Sequence, residues 1–214
     1  MKLLFMLKHP GSARNLESTL RALGERNHVV ELAFETLSGE GAERLTDDLI
    51  ATFPRFSAGR APKSRDDAWA ALSRRFRLSA DYLRYLEPEY AEMPKLRERA
   101  SKSAPAPVRR AFDLPGARNQ VAVRSASRMF KALELATPAP PYALEFIRDR
   151  DPDAVFVSPL VGFGSSQADY VRAARKLRIP VGLCVYSWDN LTNKGLIRDI
   201  PDLVTVWNLS LIHI

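Results

Sequence analysis

Three short stretches of the chain concentrate side chains able to bind or transfer groups. The first, residues 8–15, reads Lys8-His9-Pro10-Gly11-Ser12-Ala13-Arg14-Asn15, an imidazole, two cations and a glycine just ahead of a predicted helix. Backbone N–H groups left free at a helix start attract an anion or a polarised hydroxyl, and an imidazole can take a proton near neutral pH. This makes His9 a candidate base and Gly11, Ser12, Arg14 and Asn15 candidate substrate contacts, although a histidine beside a proline also serves as an ordinary turn residue. The second stretch, 159–167, contains Gly162-Phe163-Gly164-Ser165-Ser166. It lacks the third glycine of a dinucleotide fingerprint and the Lys-Ser/Thr of a phosphate-binding loop, so its chemistry rests on close backbone approach at Gly164 and on Ser165 and Ser166. Either serine could instead simply cap the following helix.

The third stretch, Tyr186-Ser187-Trp188-Asp189-Asn190-Leu191-Thr192-Asn193-Lys194-Gly195, is the densest. Trp188 offers a flat face for stacking, and Asp189 and Asn190 direct hydrogen bonds. Ser187 and Thr192 add hydroxyls, and Lys194 can meet a phosphate. Such Trp and Asx side chains also hold turns together. Asp189 is the second candidate catalytic residue, as base or orienter. The three histidines and one cysteine lack metal-ligand spacing, so no metal is expected.

These stretches would be positioned by a parallel sheet. The apolar run Lys2–Leu7 reads as a central strand covered on both faces. Asn15 is the expected N-cap of a helix carrying Leu16, Leu20 and Leu23 toward Gly24, and 28–34 reads as a second strand, closing a βαβ unit. The rhythm returns after Pro140-Pro141, with a helix through Phe146, strands at 154–160, 180–186 and 203–207, and a helix over 166–177. The expected class is therefore α/β with a doubly wound, mainly parallel sheet, whose ligands gather at the carboxyl ends of the strands. All three stretches follow predicted strands. Residues 39–138 read as an irregular helical insertion broken by prolines, with amphipathic helices around Phe76–Leu86 and Met129–Leu133 and an exposed linker over 100–107.

With 46% hydrophobic and 27% charged residues, 214 residues suffice for a real core, and no apolar run reaches the roughly 18 residues that span a bilayer. The lone Cys184 forms no internal disulfide, which fits a cytoplasmic location. Between Arg55 and Lys131 stand 18 Lys or Arg against 8 Asp or Glu, a local excess of ten positive charges within a net +7. Such a face favours phosphate-bearing partners. A peripheral anionic-membrane surface built on Arg74, Arg75, Arg77 and Arg84 is one reading and a merely solvated face the other. No zinc-finger, RNP or helix-turn-helix pattern points to specific nucleic acid.

The opening Leu3-Leu4-Phe5-Met6-Leu7-Lys8-His9-Pro10-Gly11, and Tyr186 to Gly195 leading to Pro201-Asp202-Leu203-Val204-Thr205-Val206-Trp207-Asn208, resemble bacterial surface-polysaccharide glycosyltransferases of the GT-B type. These are similar in architecture to sugar-nucleotide 2-epimerases and glycerophosphotransferases. The resemblance covers about 1–35 and 140–208. It implies a Rossmann-like N-terminal half that holds a glycan or lipid-linked acceptor, with a nucleotide-sugar donor as substrate, no other cofactor, and a missing C-terminal domain that binds the nucleotide. It matches His9 to the position of a base in some inverting members. Residues 209–214 resemble translated sequencing-adapter DNA, so a native continuation beyond Asn208 is expected, and the fragment alone should be inactive. A 2-epimerase-like enzyme and a non-catalytic basic membrane-binding module are the alternatives.

Overall fold

In the computed structural model, which describes residues 1–37, 43–62, 65–187, 190 and 194–206, the apolar runs become strands of one wholly parallel sheet. These are β1 (Lys2–Leu7), β2 (Val29–Phe34), β3 (Phe56–Arg60), β4 (Ala154–Ser158), β5 (Val181–Val185) and β6 (Leu203–Val206), in the order β3-β2-β1-β4-β5-β6. This is the doubly wound, Rossmann-like arrangement. Strand order reverses between β1 and β4, which are paired directly, Leu7 lying opposite Ser158.

Helices cover both faces. A 3-10 segment (Pro10–Leu16) runs into α1 (Glu17–Glu25), and α2 (Glu43–Thr52) follows β2. On this side Leu3, Phe5 and Leu7 of β1 pack with Leu20 and Leu49. The alternate residues Leu4 and Met6 point the other way, into a core with Ile147 of α7 (Pro141–Arg150) and Val171 of α8 (Gln167–Lys176). Strict alternation along β1 thus feeds two cores, as a strand buried on both faces must.

The remaining helices are α3 (Ala70–Arg84), α4 (Pro94–Ser103), α5 (Ala106–Asp113) and α6 (Gln120–Leu135), with a 3-10 turn at Pro88–Tyr90. They have an apolar core of their own around Tyr82, Leu83, Tyr85 and Ala100. Three expectations need correction. The region read as a helical insertion contains an edge strand, β3, which has only one buried residue, Phe56, and so no apolar run to betray it. The supposed linker at 100–107 is the end of α4 and the start of α5, because prolines in a first helical turn open helices rather than break them. Asn15 is not a cap: the helical path begins six residues earlier, with His9 in the N-cap position.

A buried ionic network ties the α3–α6 pair to the sheet. Arg77, 3% exposed, donates from Nε to Glu134 Oε1 at 2.9 Å, to the carbonyl of Ser165 at 3.0 Å, and to Asp169. Asp169 also accepts from the Tyr142 hydroxyl at 3.0 Å. Arg198 reaches Asp81 Oδ1 at 2.6 Å and lies 2.8 Å from Glu134 Oε2, off the axis a hydrogen bond needs. Arg172 adds Asp199 at 3.3 Å. Burial opposes the charge on Arg77, but Asp169 and Glu134 outweigh it and hold its pKa above the ordinary value. Arg77 and Arg84 are therefore unavailable to a membrane surface: Arg84 is half-buried and donates to Tyr90 Oη at 2.8 Å.

Removing one partner of a buried pair strands the other charge. Glu134→Ala should cost about 3–5 kcal/mol in urea unfolding, whereas Glu98→Ala, at an exposed pair with Lys102, should leave the midpoint unchanged. Equal effects would show that the network is not what joins the helices to the sheet.

The phenols of Tyr82, Tyr85, Tyr142 and Tyr170 are all pushed up, chiefly by burial. The folded chain keeps protons that the unfolded chain releases above about pH 10, so this stability is intact below that pH and is lost as pH rises further. Far-ultraviolet circular dichroism and phenolate absorbance should then change together in one alkaline step. Phenolate appearing while the helices persist would contradict it.

Candidate functional site

Doubly wound sheets take their ligands at the carboxyl edge beside the strand reversal, and the segments that leave β1, β2 and β4 meet at that edge here. Glu35 follows β2, and its N–H donates to the carbonyl of Leu7 at 3.0 Å. The Thr36 N–H and hydroxyl both donate to the carbonyl of Lys8 at 3.0 Å, fixing the 8–15 segment against the end of β2. His9 sits next, half-buried and extended (φ −156°), its carbonyl accepting from Ser12 N at 2.9 Å and its ring making no cap. Gly11 is half-buried, and Arg14 and Asn15 are exposed. Ser12 is 2% exposed with a buried hydroxyl that has no partner among the described residues.

The loop after β4 is the most constrained element. Gln167, 1% exposed, accepts from Leu160 N at 2.7 Å and donates to the carbonyl of Ser158 at 3.0 Å. This clamp holds Leu160 at φ +59°, a left-handed conformation costing a residue with a side chain roughly 1–2 kcal/mol. Gly164 (φ +63°) donates its N–H to Asp81 Oδ2 at 3.0 Å. The Ser165 hydroxyl accepts from Gln167 N at 3.2 Å, so Ser165 rather than Ser166 caps α8. Ser166 instead donates to Glu35 Oε1 at 2.9 Å, joining the segments that follow β2 and β4.

The third stretch comes to the same edge. Gly195 N donates to the carbonyl of Val161 at 2.7 Å, Leu196 N to Asp81 Oδ1 at 2.8 Å, and the Lys194 carbonyl accepts from Tyr85 Oη at 2.6 Å. Ser187 is half-buried. Asn190 is 3% exposed, with an amide nitrogen that lacks a partner among the described residues. Trp188, Asp189 and Thr192 lie outside the described residues.

His9, Gly11, Ser12, Gly164, Ser165, Ser166 and Lys194 therefore belong to segments that converge on one edge. The link between Glu35 and Ser166 went unread in the sequence, although Glu35 obeys the same rule as the others, standing immediately after a strand. Beside Ser166 opens a cavity of about 460 Å3 lined by Arg65, Arg74, Arg75, Arg77 and Gly164. A cavity lined by cations can hold an anionic ligand, and an imidazole at the same sheet edge can accept a proton. Among the described residues no group of His, Cys, Asp and Glu is placed to hold a metal, and no helix is long and apolar enough to cross a membrane. Comparison with known protein families and with curated proteins finds no match to this chain.

A Cβ added at Gly164 would lie 2.9 Å from Leu78 Cδ2, on a backbone that side chains rarely adopt. Gly164→Ala should lower stability by about 1–3 kcal/mol. Part of that loss should vanish in a Leu78→Ala background, giving measurable coupling in a double-mutant cycle. Strict additivity would show that the two residues do not meet.

Proposed function

We propose that the chain is the acceptor-side, N-terminal half of a GT-B-like glycosyltransferase, moving a sugar from a nucleotide-sugar donor to a cell-surface glycan or lipid-linked acceptor at the cytoplasmic face of the membrane. The observation that carries this reading is the convergence of the His9 segment, Glu35 and Ser166 at the strand reversal, where doubly wound sheets bind their ligands. The sequence resemblance supplies the reaction class.

In this reading the acceptor lies along the carboxyl edge. His9 takes the proton of the acceptor hydroxyl as its oxygen attacks the anomeric carbon, and the bond from that carbon to the nucleoside diphosphate breaks. Asp189 orients the base or the hydroxyl. Glu35 is a positioning residue that holds Ser166, and through it the N-terminal end of α8, against the β2 end. The leaving diphosphate is stabilised by helix N-termini and cations of the second, nucleotide-binding half that the reading requires beyond Asn208.

The test is made on the full-length protein, with a panel of nucleotide sugars and cell-envelope extract as acceptor. Radiolabel should pass into the glycan or lipid fraction. His9→Ala should lower kcat by about 10²–10⁴-fold while circular dichroism stays unchanged. Full turnover in both His9→Ala and Asp189→Asn would overturn the catalytic assignment. An epimerised nucleotide sugar formed without acceptor would overturn the transferase reading itself.

A further inference from the structure

The cavity beside Ser166 holds more positive charge than its neighbours neutralise. Arg65 spends its fork on Asp67, at 2.9 and 2.6 Å, and on the carbonyl of Pro138 at 2.9 Å. Its hydrogen bonds hold the Asp67 carboxyl below the ordinary range. Arg77 is consumed by Glu134, Asp169 and the carbonyl of Ser165. Asp169, the one carboxylate lining the cavity among the described residues, is itself engaged on both oxygens by Arg77 and Tyr142. Arg74 and Arg75, adjacent on the second turn of α3, are exposed and make no side-chain hydrogen bond or ion pair with any described residue, yet both line the cavity. Opposite them stand Gly164 and Ser166, at the N-terminal end of the ten-residue α8. Two uncommitted guanidinium groups line the same pocket of about 460 Å3 as residues at the positive end of a helix, and both features favour an anion there. A carboxylate would satisfy one fork. A phosphoryl group has oxygens enough for both forks.

We propose that this cavity binds a phosphoryl group, a phosphomonoester or diphosphate, through Arg74 and Arg75. The assignment stands on the cavity alone and does not require the transfer reaction, so either can fail without the other. The phosphoryl group could belong to a soluble sugar phosphate or to a phospholipid. Trp69 and Leu72, 39% and 40% exposed on the same stretch of chain, make the lipid source worth a separate arm.

The probe is inorganic pyrophosphate, titrated into the chain by calorimetry and 31P NMR. Wild-type protein should bind it with an affinity that falls as salt rises. Arg74→Gln/Arg75→Gln should weaken binding about tenfold or more. Arg110→Gln/Arg128→Gln, two exposed cations of the same basic segment that lie outside the cavity, should change it less than about twofold. All four positions are exposed, and unchanged melting temperatures would confirm that folding is preserved. No binding by wild type, or equal loss in both double variants, overturns the proposal. In the second arm, flotation with phosphatidylcholine vesicles carrying phosphatidylglycerol identifies the source. Loss of flotation in Arg74→Gln/Arg75→Gln assigns a lipid headgroup, and unaltered flotation beside weakened pyrophosphate binding assigns a soluble phosphate.

Discussion

The join between the α3–α6 pair and the rest of the fold depends on the buried carboxylate of Glu134. Glu134 is 2% exposed, it faces Arg77 on one oxygen and Arg198 on the other, and each of those cations is shared with a second carboxylate, Asp169 or Asp81. The buried residues around Tyr82 and Tyr85 form a cluster separate from the two that cover the sheet, with Phe163 of the loop after β4 packed against it. A buried ionic join differs physically from an apolar one. Its desolvation cost is met only when every partner is in place, so partial or shifted arrangements are disfavoured steeply. Apolar surfaces can slide past one another at small cost, but a fork of guanidinium hydrogen bonds cannot.

That steepness reaches the loops. Asp81 divides its oxygens between the amide of Gly164, after β4, and the amide of Leu196, after the third stretch, while Arg198 neutralises it. Two loops are thus referred to a single carboxylate on α3. Space is the second constraint: a Cβ on Gly195 would come within 3.1 Å of both Asp81 oxygens. Phe163 is held from outside by Tyr85, with ring centroids 6.0 Å apart, and by Arg99, 5.5 Å above its ring. The helical insertion therefore shapes the carboxyl edge directly, as an appendage on the far side of the sheet could not.

The parts of the fold legible in the sequence are those whose cause is local. β1, β4 and β5 stand out as unbroken apolar runs because both of their faces are covered, and α8 is bounded by turn residues on each side. β3 is illegible because an edge strand needs no apolar run: Ser57, Ala58 and Arg60 are exposed. The prolines at 94, 107 and 141 show that one residue type can be read in two senses, since each opens a helix yet only Pro141 sits where the α/β rhythm makes that evident. For the site, the rule that loops after parallel strands carry ligands finds the 8–15 and 159–167 segments. It does not find Asp81, Glu134 or Asp169, because acidic residues on amphipathic helices look solvated until their distant partners are known.

The cations between Arg55 and Lys131 include two contrasting pairs around the cavity. Arg65 and Arg77 are buried and answered by carboxylates, so they act as structural bolts. Arg74 and Arg75 are in solvent, beside those bolts and immobilised at their base by the same helix. Neutralising the first pair lets the second dominate the potential of the pocket, and a low-dielectric wall of packed helix focuses that potential toward α8. Ser166 then couples the pocket to the rest of the carboxyl edge. It lines the cavity and donates to Glu35, whose own amide is fixed to the end of β1. An anion drawing on Ser166 would compete with Glu35 for that hydroxyl.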